Sequence, residues 1–216
     1  MPGQASPVPV WSGLAVSESS NTMITLIYAH PYPKHSRTGK ALLHAAHGLP
    51  GVHVRNLYDL YPDFHIDAKE EQAHLHKAHT IVLQHPLYWY HTPALLSLWF
   101  EKVLAYGWAY GHDSQGAITE ALKGKRLLWA ATAGGEEDAY QAAGYNHFPI
   151  SQIATPIQQT ALFCGMEWLP PHTVFGARKL DDAELLQAAE GYRDRLVAEI
   201  QHLTTQHPSA GASDAR

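Results

Sequence analysis

Hydroxyl-bearing and basic side chains cluster in residues 30–40 (HPYPKHSRTGK), directly after the first apolar run of the chain. Ser36, Arg37, Thr38 and Gly39 precede a stretch with helical periodicity, so their backbone N–H groups would lie at a helix N-terminus. Such N–H groups, together with the helix dipole, attract anions. The glycine spacings of nucleotide-binding P-loops and of GxGxxG loops are absent. Two interpretations remain open here: a phosphate-binding loop, and an ordinary helix start capped by Ser36.

A second cluster is aromatic, because Tyr88, Trp89 and Tyr90 stand in a row after another apolar run. Neighbouring rings of this kind are difficult to bury together in a core. They suit a flat aromatic ligand, which can stack on the rings while backbone groups bind its heteroatoms. Packing of the rings at a homodimer interface is the alternative interpretation.

A third segment, Thr132-Ala133-Gly134-Gly135, ends a further apolar run and is followed by Tyr140, Asn146 and His147. Paired glycines allow the backbone to approach a ligand closely. A Gly-Gly pair considered alone predicts only a turn. The combination of this segment with the other two is what indicates a binding site.

The elements predicted around these segments bring them to one edge of a sheet. Short apolar runs alternate with stretches of helical periodicity, a pattern typical of a parallel α/β sheet. The predicted strands are residues 24–29, 52–57, 80–84, 127–132 and 168–175, the last of them interrupted by Pro170 and Pro171. The predicted helices are residues 38–47, 67–79, 93–104, 155–163 and 181–202. Five strands with helices on both faces predict a doubly wound, three-layer α/β/α fold. Ligands of such sheets bind beyond the carboxyl ends of the strands, where the three segments would meet.

Length and composition limit the remaining possibilities. The 216 residues suit one domain, predicted at residues 23–203, with flexible tails at residues 1–22 and 204–216. The net charge of -5 argues against nucleic acid as a partner. The single cysteine, Cys164, cannot form an internal disulfide, which favours a reducing cytoplasm. His74 and His76 face different sides of their predicted helix, and no set of ligands completes a zinc pattern, so no metal site is predicted.

Motifs distributed along residues 23–200 resemble those of one family. They are Tyr28–Pro31, Leu60–Phe64, Gln84–Tyr90, Gly107–Gly111 and Trp168–Pro171. These motifs resemble the flavodoxin-like NAD(P)H:quinone oxidoreductases, and most of all the ancillary proteins of bacterial glutathione-regulated potassium-efflux systems.

The resemblance implies a bound flavin, FMN in preference to FAD, with NAD(P)H as the hydride donor and a quinone or similar small molecule as the acceptor. It implies that the flavin is held by His30, Ser36, Arg37, Thr38, Gly39, Leu87, Tyr88, Trp89, Tyr90, Thr132, Ala133, Gly134 and Gly135. It gives catalytic roles to Tyr140 and His147, and it places Asn146 at the position of the family's histidine. Gly39 and Ala133 stand where relatives often have Asn and Thr.

Two functional hypotheses follow from the resemblance. The first is an enzyme that transfers two electrons by a ping-pong route and is also ancillary to a potassium-efflux transporter. The second is a flavin-binding regulatory subunit of a potassium-efflux transporter, without turnover. Both imply a cytoplasmic protein, in contact with the inner face of the membrane only through its partner. The aromatic segment Gly107–His112 also predicts a homodimer, because it carries more apolar surface than a monomer should expose.

Overall fold

The computed structural model describes residues 23–206, so the predicted tail at residues 1–22 and residues 207–216 of the predicted tail at 204–216 lie outside the described residues. Within this range all strand pairs are parallel and follow the order β2-β1-β3-β4-β5, with β6 also paired to β4. The strands are β1 Ile24–Tyr28, β2 Val52–Asn56, β3 Thr80–Pro86, β4 Arg126–Thr132, β5 Glu167–Trp168 and β6 His172–Val174. The predicted doubly wound sheet is therefore confirmed.

Helices cover both faces of this sheet. They are α1 Arg37–Ala46, α2 Leu57–Leu60, α3 Ala68–Lys77, α4 Ala94–Val103, α5 Ile150–Ile153, α6 Thr155–Phe163 and α7 Asp182–Gln206, with 3-10 turns at Pro33–His35 and Glu137–Ala139. Successive strand residues point to opposite faces. Because β1, β3 and β4 are runs of buried, mostly apolar residues, they are apolar on both faces of the sheet. One core lies under α1 and α7 and includes Leu26, Val82, Leu128 and Leu196. The other lies under α3, α4 and α6 and includes Ile27, Leu83, Trp99 and Ile157.

The predicted interruption of the fifth strand is observed: β5 and β6 pair separately with β4, because Pro170 and Pro171 between them have no N–H to donate to a ladder. Two boundaries differ from the predictions. Leu57 begins the short helix α2 and does not end β2. The prediction that the last helix ends at His202 is also wrong. The helix α7 continues to Gln206, with Leu203 buried in the core.

A buried ion pair joins β2 to α3. The Arg55 guanidinium is 5% exposed and its Nε donates to Glu71 Oε1 over 2.9 Å, while the Glu71 side chain is fully buried. The same carboxylate accepts hydrogen bonds from Trp99 Nε1 at 2.9 Å and from the Tyr61 hydroxyl at 2.8 Å. The pair thus ties the outer strand of the sheet to two helices on one face.

Residues 23–206 contain neither a cluster of potential metal ligands nor a helix that could cross a membrane. His74 contacts the Arg55 guanidinium whereas His76 is exposed, and no three His, Cys, Asp or Glu side chains of the described range lie together as metal ligands would. No helix in that range combines the length and the apolar character needed to cross a membrane.

Candidate flavin site

The three segments that the sequence singles out lie against one another at the carboxyl edge of the sheet. The rings of His30 and Tyr88 meet edge-on with centroids 5.9 Å apart. The Leu87 N–H donates to the Thr132 carbonyl over 2.8 Å, joining the aromatic segment to the glycine segment. The predicted convergence of the loops after β1, β3 and β4 is therefore observed.

The first turn of α1 forms a cradle of N–H groups. Ser36 Oγ accepts the Gly39 N–H at 3.1 Å, so the expected helix cap by Ser36 is confirmed. The Lys40 N–H reaches the Ser36 carbonyl at 3.2 Å. The N–H groups of Arg37 and Thr38 have no acceptor within the helix, because of the geometry of any helix start. Capping by Ser36 and anion binding by its neighbours are thus compatible.

The side chains of Arg37 and Thr38 are engaged away from this cradle. The Arg37 guanidinium bonds the Leu180 carbonyl and pairs with the Asp182 carboxylate at the start of α7. The Thr38 hydroxyl donates to the Ala177 carbonyl over 2.6 Å. Both side chains hold the loop to the chain that follows β6, which leaves their backbone N–H groups as the donors for a ligand.

Buried polar groups line the base of the cradle. Burial lowers the pKa of His30 to about 4, so the ring is neutral at physiological pH. Its Nδ1 accepts the Tyr32 N–H at 3.1 Å, which leaves the proton on Nε2 as a donor. The Tyr28 hydroxyl and Gln84 Oε1 are buried with no partner, while Gln84 Nε2 donates to the Gly39 carbonyl at 3.0 Å. Burial also raises the pKa of Tyr28 to about 12, so its hydroxyl keeps its proton.

The aromatic segment turns back on itself through a strained bend. The backbones of Tyr88 and His91 bond each other in both directions, at 3.2 and 2.9 Å. Trp89 and Tyr90 between them adopt φ values of 49° and 65°, a region that bulky side chains rarely occupy. Strain of this kind persists where the surroundings impose it, and it concentrates at functional sites. The bend leaves the Trp89 ring 89% exposed at the edge of the sheet.

The glycine segment is held by a fourth loop, which follows β6 and which sequence reasoning missed. The Ala133 N–H donates to the Val174 carbonyl at 2.8 Å, and the Ala133 carbonyl accepts the Ala177 N–H at 2.9 Å. The Gly176 N–H donates to the Gly135 carbonyl at 2.8 Å. Above Gly134 the space is open, since a Cβ there would have no heavy atom within 4 Å. Gly176, directly beyond the interrupted fifth strand, was the available signal for this loop.

The residues predicted to be catalytic differ in their placement. The Tyr140 ring packs on Phe175 with centroids 5.4 Å apart and lies beside Gly135. Burial raises the pKa of Tyr140, which keeps its hydroxyl protonated. His147 is exposed, with a backbone φ of 61°. Asn146 is the residue that reaches the aromatic segment, because its Oδ1 accepts the Tyr90 hydroxyl at 3.0 Å.

Comparisons with known proteins give the family of this chain. A family model described as flavodoxin-like fold matches residues 22–196. The chain belongs to this family. It is 49% identical, over 81% of its length and 95% of the relative's, to the glutathione-regulated potassium-efflux system ancillary protein KefF of Klebsiella pneumoniae (strain 342). The family resemblance seen in the sequence is therefore confirmed.

Solved structures give the same fold. The general stress protein 14 of Treponema denticola, in complex with FMN, has 31% identity and a TM-score of 0.74 over 82% of this chain and 99% of that one. The NADPH-quinone reductase of P. pentosaceus has 28% identity and a TM-score of 0.72 over 80% and 96%. The thermophilic tryptophan halogenase from Streptomycin violaceusniger has 38% identity and a TM-score of 0.76 over 80% of this chain and 98% of that one. One fold hosts several chemistries, so function must be argued from the site.

The residues of this family member fit FMN. The cradle at α1 offers N–H groups and a neutral imidazole donor to a phosphate. The unpartnered oxygens of Tyr28 and Gln84 lie at its base. The open space above Gly134 and the exposed rings of the aromatic bend suit a flat heterocycle.

A cavity of about 130 Å³ adjoins the aromatic bend on the face covered by α4 and α6. Its walls include His85, Leu87, Tyr90, Trp129, Ile157 and Thr160. Trp129 Nε1 donates to His85 Nε2 at 2.7 Å, and His85 Nδ1 lies 2.9 Å from the Pro86 carbonyl. Burial lowers the pKa of His85 to about 4, so this imidazole is neutral and both its nitrogens are used within the core.

Proposed function

We propose that this protein is an FMN-dependent NAD(P)H:quinone oxidoreductase that transfers two electrons by a ping-pong route. The observation that carries the proposal is the meeting of an N–H cradle with an aromatic bend and an open glycine segment at one edge of the sheet. The N–H cradle suits a phosphate, and the other two suit a flat redox ring. The FMN complex of the Treponema denticola protein and the reductase name of the P. pentosaceus protein support it.

Each group has a role in this proposal. The N–H groups of Arg37 and Thr38 and the Nε2 proton of His30 bind the phosphate. The backbone of residues 87–90 and of residues 132–135 orients the ring. Bound FMN supplies the hydride chemistry between NAD(P)H and the quinone. Tyr140, protonated and next to Gly135, donates a hydrogen bond to the charge that develops on reduction. The structure gives His147 no comparable position, and its proposed proton-relay role depends on access from solvent.

The proposal includes a homodimer. Tyr106 and Phe163 are 65% and 63% exposed. The Tyr110 ring lies between them, with centroid distances of 5.7 and 5.2 Å. An aromatic surface of this kind is typical of an interface. A second copy would cover it close to the cavity beside the aromatic bend.

The test is optical. The purified protein, supplied with FMN, should show a flavin absorption band that bleaches anaerobically with NADPH or NADH and returns when a benzoquinone is added. A matched variant, Gly134→Val, places a branched side chain in the open space above the glycine segment and should abolish the band. A wild-type protein that takes up neither FMN nor FAD would refute the proposal.

A second candidate is a flavin-binding regulatory subunit of a potassium-efflux transporter, located in the cytoplasm and peripheral to the inner face of the membrane. The name of the Klebsiella pneumoniae relative favours it. Turnover separates the two hypotheses, because a regulator without catalysis would bind FMN and stay oxidised, or reduce quinone only at the rate of free flavin. Copurification with a co-expressed transporter would support the partner in either case.

A further inference from the structure

The Tyr90 hydroxyl and the Asn146 amide form a link between the aromatic bend and the loop after β4, which we term the Tyr90–Asn146 clasp. The hydroxyl donates to Asn146 Oδ1 over 3.0 Å, across 56 residues of sequence. Tyr90 makes this contact from a left-handed backbone with φ of 65°. The clasp is therefore one of the interactions that hold the strained bend in place.

The clasp also fixes which end of the amide faces the site. With Oδ1 occupied by the Tyr90 hydroxyl, Nδ2 lies 3.5 Å from the point where a Cβ on Gly135 would stand. The backbone of Asn146 is anchored on both sides: its N–H donates to the Ala139 carbonyl at 2.9 Å, and its carbonyl accepts the Phe148 N–H at 2.8 Å. A hydrogen-bond donor is thus held beside Gly135, next to the Tyr140 ring.

This donor has a property that an imidazole at the same place would lack. A carboxamide does not titrate in water, whereas histidine changes its charge between about pH 5 and 8. Uptake of two electrons places negative charge on an isoalloxazine ring, and a donor next to that ring stabilises the charged form more than the neutral form. An amide keeps the same protonation state, and so the same donor, at every pH in this interval.

We propose that Asn146, oriented by Tyr90, is a pH-independent donor that stabilises the reduced flavin in this protein. This inference rests on the proposed function, since it requires FMN over the glycine segment. Asn146 is the residue in contact with the cofactor, and Tyr90 is its positioning residue. Their effects are expected in the reduction potential and in the affinity for reduced FMN.

The first experiment measures dissociation constants of oxidised and reduced FMN, together with the two-electron potential, in wild type, Asn146→Ala and Tyr90→Phe. Asn146→Ala should weaken the binding of reduced FMN roughly tenfold more than the binding of oxidised FMN, because hydrogen bonds to charged groups are stronger than those to neutral groups. By the thermodynamic cycle, a tenfold change lowers a two-electron potential by about 30 mV. Tyr90→Phe should give part of this shift in potential. The double variant should show the same shift as Asn146→Ala alone, because Tyr90 acts only through Asn146. Gln141→Ala, an exposed amide in the same loop, is the matched control.

The second experiment introduces a titrating donor. Asn146→His should make the potential depend on pH between about 5 and 8 beyond the dependence of wild type. Circular dichroism and urea unfolding of each variant exclude loss of the fold as the cause. An unchanged potential in Asn146→Ala, or a shift in His147→Ala instead, would overturn the inference while FMN binding by wild type still upheld the proposed function. Failure of wild type to bind FMN would refute both.

Discussion

Alanine at residue 39 would place a methyl group where the Ser36 hydroxyl now lies, since a Cβ on Gly39 would overlap Ser36 Oγ. The serine would have to rotate away and give up the 3.1 Å bond from the Gly39 N–H. Loss of such a cap costs about 1 kcal/mol. Alanine in place of glycine inside a helix gains roughly 0.5–1 kcal/mol. Gly39→Ala is therefore expected to leave the free energy of unfolding almost unchanged.

Ser36→Ala in the wild-type background should lower the free energy of unfolding by the full contribution of the helix cap, about 1 kcal/mol. In the Gly39→Ala background the same change should cost almost nothing, because the cap is already lost. The two substitutions should thus show a coupling energy of about 1 kcal/mol, which a double-mutant cycle isolates. For a domain of this size that corresponds to a shift of roughly 2–4 °C in Tm.

The measurement is urea unfolding of the four proteins without added flavin, so that ligand binding does not enter the comparison. Gly48→Ala, at a φ of 80° outside any helix, serves as a control in which alanine should destabilise. Additivity of Ser36→Ala and Gly39→Ala within about 0.3 kcal/mol would refute the account of the cap.

Three further predictions concern the buried ion pair, His85 and Thr38. Glu71→Gln should lower the free energy of unfolding by about 3 kcal/mol in urea unfolding, because it leaves the buried Arg55 guanidinium with only the half-exposed Glu70 carboxylate as counter-charge. Burial lowers the pKa of His85 from 6.5 to about 4 in the folded state. As the pH drops below 6.5, His85 therefore binds a proton in the unfolded chain but not in the folded protein. The contribution of His85 to the free energy of unfolding should therefore be fully present above pH 6.5 and decline toward pH 4. His85→Gln should make this decline shallower, by about one proton in the slope of the free energy of unfolding against pH. Thr38→Val should weaken FMN binding several-fold by freeing the Ala177 carbonyl, whereas Thr38→Ser should retain wild-type affinity in a fluorescence titration.

Much of the fold was predictable because apolar runs and helical periodicity report burial directly. The strands β1, β3 and β4 are buried on both faces and read as continuous apolar runs. Pro170 and Pro171 predict the interruption of the fifth strand, because neither residue has an N–H to donate to a ladder. Only the pairing with β4 shows that the chain leaves the ladder and rejoins it.

The site was predictable in its loops and less so in its side chains. Sequence position brings residues 36–39, 87–90 and 132–135 to one edge, but it does not tell where a side chain points. Arg37 illustrates this, because its charge suits a phosphate whereas its guanidinium pairs with Asp182. The choice between Asn146 and His147 likewise depends on backbone dihedral angles, which composition and spacing do not encode.

The split fifth strand also has a consequence for how copies of this protein can meet. The outer ladder on this side of the sheet offers only the two-residue β5 and the three-residue β6, separated by a segment that includes two prolines. An edge so short and so poor in N–H donors is a bad template for a strand from another chain, which protects it against edge-to-edge aggregation. Association through sheet extension is thereby discouraged on this side, and specific assembly is left to side-chain surfaces such as the one around Tyr106 and Phe163.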